Sequence, residues 1–149
     1  MKIELTKGYH AEIDFSDWWK VLPYNWRAEE SPNSTYAVRS AAGKRIAMHQ
    51  VIANASRVDH IDHDTLNNRA SNLRPATQSQ NGANHLRPVG ESGYIGVWRH
   101  NSGWRGVVVK DFKRYSAGTY DTPEEAARAR DTLAKELHGP FAQLNFEED

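Results

Sequence analysis

Within residues 57–81, two short strand-like stretches flank a polar loop and lead at once into a helix-start signal, giving the order strand, loop, strand, helix. Residues 57–61 read as a strand, residues 64–71 as a loop that includes Asn67 and Asn68, and residues 72–76 as the returning strand. Thr77-Gln78-Ser79-Gln80 has capping-box form, so a helix is predicted from Gln78 to about His85. The 149 residues include no cysteine, which excludes disulfides and Cys-ligated zinc, so each core must hold by packing alone. A mean hydropathy of −0.79 limits that packing to small cores with much polar surface.

Upstream, residues 1–46 read as short strands and turns: Ile3 and Leu5, Ala11 and Ile13, then residues 36–38, with a loop over 30–34 and a hairpin turn at Ala42-Gly43. Trp18, Trp19 and Trp26 lie on a short helix and the segment after it, and at least two of these indoles are expected in the core. Residues 48–53 read as one or two helical turns. Residues 87–92 carry Pro and Gly and read as a linker. Beyond it, residues 94–98, 103–110 and 114–120 read as three strands of an antiparallel sheet. Thr122-Pro123-Glu124-Glu125 is a second capping box, with Pro at the first helical position, where its missing N–H does no harm. Ala126, Ala129, Leu133 and Leu137 then recur at helical spacing, and Gly139-Pro140 ends the helix. The expected class is α+β, with one domain over 1–86 (short strands to 46, the motif unit over 47–86) and a second over 93–146.

The formal net charge is zero, yet residues 65–120 hold eight basic side chains against two acidic, a net +6. Glu124, Glu125, Asp131, Glu136 and the tail Glu147-Glu148-Asp149 carry compensating negative charge. A basic middle followed by an acidic helix reads as a surface facing a polyanion, with a solvated back. No run approaches the ~18 apolar residues of a membrane span and the first residues form no signal peptide, so a cytoplasmic protein with neither membrane nor disulfide-linked partners is expected.

Phosphodiester hydrolysis needs a divalent cation against a phosphate oxygen and a base for the attacking water. Asp59 and His60 are neighbours on a predicted strand and so point to opposite sides. The carboxylate can take a metal while the imidazole addresses water from another direction. Asn81, near the start of the capped helix, can bring an amide oxygen to the same ion. Oxygen ligation this sparse suits one Mg²⁺ or Mn²⁺, with water and phosphate in the remaining positions. Asn72 is placed to fix the His60 ring by a hydrogen bond and so set its tautomer. Singly, each residue has an ordinary reading as surface, turn or solvated helix position; the joint spacing is what points to chemistry.

At Asp59-His60-Ile61-Asp62, Asn67-Asn68-Arg69, Asn72-Leu73-Arg74 and Asn81, the chain resembles the HNH endonucleases of the phage and intron homing type, over roughly residues 47–86. The resemblance implies a ββα-metal fold, Asp59 and Asn81 as metal ligands, His60 as general base and Asn72 as the residue orienting it. His63 departs from the pattern, standing where the family usually has glycine, and either alters the turn or adds a phosphate contact. His85 follows Asn81 by four residues, where some members place an additional metal histidine; a phosphate contact or a surface position is the alternative. Arg74 and Arg87 are the cations expected to steady phosphates.

A second resemblance covers residues 93–146. Tyr94-Ile95-Gly96-Val97, Trp104-Arg105-Gly106, residues 117–122, residues 125–129 and Leu144-Asn145-Phe146 resemble an AP2 domain, which implies a three-stranded sheet, backed by one helix, that enters the DNA major groove. The same segment interleaves Arg99, Arg105, Lys110, Lys113 and Arg114 with Trp98, Trp104 and Tyr115, the residue types that read bases and hold phosphate. Ile95, Val107 and Val109 replace polar readers of plant members, so a plant-type target is not expected. Together the two resemblances imply a metal-dependent endonuclease of double-stranded DNA, of phage or mobile-element origin, acting as monomer or homodimer in the cytoplasm of a bacterial host. The alternative is a non-catalytic DNA-binding regulator built on a nuclease scaffold.

Overall fold

A computed structural model of the chain describes residues 1–84 and 89–146, and the chain divides into two units, Met1–Thr77 and Gln78–Asp149. In the first unit, β1 (Lys2–Glu4) pairs antiparallel with β2 (His10–Glu12). After the single-turn α1 (Trp18–Val21), β3 (Arg27–Ser31), β4 (Ser34–Ala41) and β5 (Lys44–Ala47) form an antiparallel sheet in that order. The loop expected over 30–34 contracts to a turn at Pro32-Asn33, because Glu30 and Ser31 pair with Thr35 and Ser34. Ala42 and Gly43 both take left-handed backbone, φ 49° and 73°, as a two-residue hairpin turn requires to follow the strand twist. Next come α2 (Met48–Ala53) and a hairpin of β6 (Val58–His60) with β7 (Leu73–Pro75).

Ile3, Ala11, Ile13, Val21, Trp26, Met48, Ile52, Val58 and Leu73 make one apolar cluster beneath these elements. Of the three early tryptophans only Trp26 is buried, its indole N–H donating to the Val21 carbonyl at 2.9 Å. Trp18 and Trp19 are exposed, contrary to expectation, since a helix of one turn presents a single side chain inward and here that is Val21. The polar loop after β6 is tied down against β2: the Glu12 N–H donates to the Leu66 carbonyl (2.8 Å) and the Asn68 N–H to the Glu12 carbonyl (2.7 Å).

The second unit holds α3 (Gln78–Asn84), β8 (Val97–His100), β9 (Gly103–Lys110), β10 (Lys113–Tyr120) and α4 (Pro123–His138). The sheet order is β10-β9-β8, all antiparallel. β8 starts at Val97 rather than Tyr94 because the Asn145 side chain takes the place of a ladder partner, accepting from the Ile95 N–H (2.6 Å) and donating to its carbonyl (3.2 Å). Thr122 caps α4 as its sequence predicts, accepting from the Glu125 N–H while the Glu125 carboxylate accepts from the Thr122 N–H. The buried face of α4 is Ala126, Ala127, Arg130, Asp131 and Ala134, with Ala129, Leu133 and Leu137 only half-buried at its margin. The stripe shifts because Asp131 turns inward to accept from the backbone N–H groups of Asn145 (2.6 Å) and Phe146 (3.1 Å), with Arg130 beside it at 3.0 Å. At Gly106 a β-carbon would stand 2.7 Å from the Ala126 carbonyl oxygen, so a glycine lets α4 press onto the sheet.

Candidate active site

The β6–β7 hairpin sets the register Asp59 opposite Arg74 and His60 opposite Leu73. Consecutive strand residues face opposite ways, so the carboxylate and the imidazole leave β6 on different sides. The Asp59 Oδ2 accepts from Arg74 Nε at 2.8 Å and lies 2.7 Å from Arg74 Nη2. Both side chains are largely buried. A hard oxygen donor held in a fixed orientation by a hydrogen-bonding neighbour is what ligating carboxylates offer a divalent cation, and Asp59 has that form. Among the described residues no three His, Cys, Asp or Glu side chains gather into a ready cation cage.

His60 is buried, and among the described residues His49, Tyr36 and Asn68 stand against its ring. His49, on α2, meets it edge to face with centroids 5.1 Å apart and planes at 84°. Tyr36, on β4, lies 6.3 Å from His60 and 5.6 Å from His49. The Asn68 Oδ1 stands 3.4 Å from the His60 Nε2. Asn68 is almost wholly buried, and its amide nitrogen donates to the Leu66 carbonyl at 3.1 Å, which turns its oxygen toward the imidazole. An acceptor at Nε2 favours the proton there and leaves Nδ1 as the basic nitrogen. Burial lowers the His60 pKa, and the Asn68 bond and the Asp62, Asp59 and Asp64 charges only partly oppose it, so the ring is neutral at neutral pH.

Asn72 serves the loop rather than the ring. Its Oδ1 accepts from the Asp62 N–H (3.0 Å), and its amide nitrogen donates to the Asp62 carboxylate (2.7 Å) and the Asn67 carbonyl (2.8 Å). Burial works against the charge on Asp62, but bonds from Asn67, the Asp64 N–H and Asn72 outweigh it and hold that carboxyl below its usual range. His63 sits in this turn at φ 65°, the left-handed region in which the family's glycine is unstrained.

His49, in sequence only one residue of a short, largely apolar helix, is the neighbour of His60 that the motif spacing does not single out. Burial pushes its pKa down to about 4, with His60 and the Arg45 guanidinium adding to the effect. A histidine whose folded-state value lies below the unfolded one contributes stability that is fully present above about 6.5 and is lost as pH falls toward 4. His60 shifts in the same direction, Asp62 acts only below its unfolded value near 3.8 and Glu30 only below 4.5, so the window between pH 6.5 and 4.5 belongs to the histidines. Thermal unfolding should show stability declining across that window by up to about 3 kcal/mol for His49 alone. His49→Phe, which keeps an aromatic edge, should flatten much of the decline; an unchanged slope would contradict it.

Asn81 lies on α3, in the second unit, beyond the division at Thr77. His85 and Arg87 lie outside the described residues. In the sheet of the second unit, the alternation set by Gly106 and Val108 against α4 turns Arg105, Val107 and Val109 to the opposite face. Trp98, more than half exposed, pairs in register with Arg105, and Arg114 with Val109, so both join that open face. Trp104 instead packs into the cluster of Val97, Ala126 and Ala127, with the Arg99 guanidinium 5.0 Å from its ring centroid. Lys110 donates to the Leu137 carbonyl at the end of α4 (2.7 Å), and Lys113 pairs opposite it across the hairpin, exposed.

Residues 49–83 match the family model described as HNH endonuclease. A protein of Acanthamoeba polyphaga mimivirus, named an uncharacterized HNH endonuclease, is 32% identical over 148 residues, which span 93% of this chain and 76% of that protein. Protein 3.8 of Escherichia phage T7 is 36% identical over 90 residues, 58% of this chain and 74% of that protein. Dehydration-responsive element-binding protein 2E of Arabidopsis thaliana is 47% identical over 45 residues, 30% of this chain and 18% of that protein.

Proposed function

The chain belongs to the HNH endonuclease family, and on that premise we propose that it hydrolyses phosphodiester bonds of double-stranded DNA with the help of one Mg²⁺ or Mn²⁺, as a nuclease of the phage or mobile-element homing type. The carrying observation is the Asp59-His60 pair: a buried carboxylate oriented by Arg74, and a buried neutral imidazole whose Nε2 faces Asn68. His60 takes the proton of the attacking water at Nδ1. Asp59 holds the cation, with Asn81 as second ligand on the strength of the sequence pattern alone. When bound, that cation stabilises charge on the phosphate and the leaving oxygen. Arg74, beside Asp59, supplies positive charge close to where a phosphate must pass.

The second unit is the DNA grip in this reading, through an AP2-like sheet. Its support is the open face bearing Trp98, Arg105 and Arg114, together with the 45-residue likeness to a plant protein named for binding a dehydration-responsive element. Arginines on such a face suit bases and phosphates, and the indole adds an apolar contact. Supercoiled plasmid incubated with Mg²⁺ or Mn²⁺ should be nicked or linearised, and excess chelator should stop the reaction. Retention of duplex with no cleavage under either metal would instead favour a DNA-binding regulator on a nuclease scaffold.

A further inference from the structure

The tip of the β9–β10 hairpin carries a residue that neither the fold nor the nuclease site uses. Lys110 and Lys113 pair across it, leaving Asp111 and Phe112 as a two-residue turn with φ 49° and 63°. Turns of this kind need left-handed backbone at both positions, which is why asparagine, aspartate or glycine is usual at the first and glycine at the second. A phenylalanine there carries a steric cost that glycine avoids. Phe112 is also 95% exposed, more than any other large apolar side chain among the described residues. An apolar ring standing in water contributes little to folding, and its backbone opposes folding. Stability therefore gives no reason for the residue.

The surroundings indicate what the ring meets. Lys113 and Arg114 follow it directly and are exposed, and Arg114 lies on the open face of the sheet with Arg105 and Trp98. Asp111 is the acid at the tip, and its N–H is 3.4 Å from the Ser79 hydroxyl. A ring projecting past two cations suits a partner that is anionic outside and apolar inside. Duplex DNA is such a partner, with phosphates for the cations and stacked bases for the ring. We propose that Phe112 is a DNA-contacting residue that presses its ring against the bases of the duplex while Lys113 and Arg114 hold flanking phosphates. This rests on the reading of the second unit as a DNA grip and deepens it.

Phe112→Gly in the full chain separates the ring from the fold, because the two effects have opposite signs. Relief of the left-handed strain should raise Tm by about 2–4 °C. Affinity for a plasmid-derived duplex should nevertheless fall, about five- to tenfold for an apolar base contact. Since no phosphate contact is lost, the slope of log K against log salt should not change, whereas Arg105→Ala and Arg114→Ala should each flatten it by about one unit. Phe112→Asn, which also tolerates the turn but lacks glycine's backbone freedom, should show the same loss because it too has no ring; a loss confined to the glycine variant would trace to a loosened hairpin and overturn the proposal. Affinity within twofold of wild type in both variants overturns the proposal, and so does a loss accompanied by a flatter salt slope. If the two arginine variants also bind normally, the DNA-grip reading itself fails, whatever Phe112 does.

Discussion

His60→Ala is expected to lower plasmid cleavage by about 10²–10⁴-fold, the range that a positioned general base contributes, while duplex retention stays near wild type. The loss should fall on kcat with KM little changed, because the imidazole acts on the water rather than on the bound DNA. Burial keeps the ring neutral and Asn68 holds its Nε2, so the nitrogen proposed as the base is available at neutral pH without an activating charge. Truncation also removes the edge that His49 and Tyr36 pack against. His60→Gln, closer in volume, should therefore show the same loss of rate with a smaller loss of Tm. If His60→Ala cut at the wild-type rate, the base would lie elsewhere, and His49, 5.1 Å away, would be the first group to replace.

How far this centre is legible in the sequence depends on which contacts are local. Asp59, His60 and the returning strand sit close together in the chain, and alternation along β6 follows from strand geometry alone. The ring wall is not local. Tyr36, His49 and His60 come from β4, α2 and β6, and only packing of the first unit's core brings them together. The available signal for His49 is a histidine in the first turn of a largely apolar helix. Asn68 and Asn72 show a different limit: four residues apart in one polar loop, they share a residue type, and only the tie of the Asn68 N–H to Glu12 decides which amide faces the imidazole. On α4 the periodicity points to Ala129 and Leu133, but a buried Asp131 accepting backbone N–H groups from the tail moves the inner face toward Arg130. Apolar spacing carries no warning of a polar residue buried for its hydrogen bonds.

Breaking the Asp59–Arg74 pair should separate the structural share of the site from its chemical share. The two side chains are 11% and 17% exposed, so either single truncation takes from a mostly buried charge a partner 2.7 Å away. Losses of this kind run to 3–5 kcal/mol in full burial, and the residual exposure here sets the expectation at about 3 kcal/mol for Asp59→Ala and for Arg74→Ala. Removing both members removes that weakened buried charge as well, so the double variant should be more stable than either single one. Cleavage should follow a different order. Asp59→Ala deletes the proposed metal ligand and should lose at least about 100-fold at any Mg²⁺ or Mn²⁺ concentration, since a catalytic ion supplies several kcal/mol of transition-state stabilisation. Arg74→Ala keeps the carboxylate and should cut more slowly yet measurably, with its rate recovering as the metal is raised. The double variant should regain stability and none of the activity. Denaturant unfolding of the four proteins beside plasmid cleavage across a metal titration gives both orders. A double variant no more stable than the singles would show that the charges do not stabilise one another, and cleavage by Asp59→Ala would move the metal to other ligands.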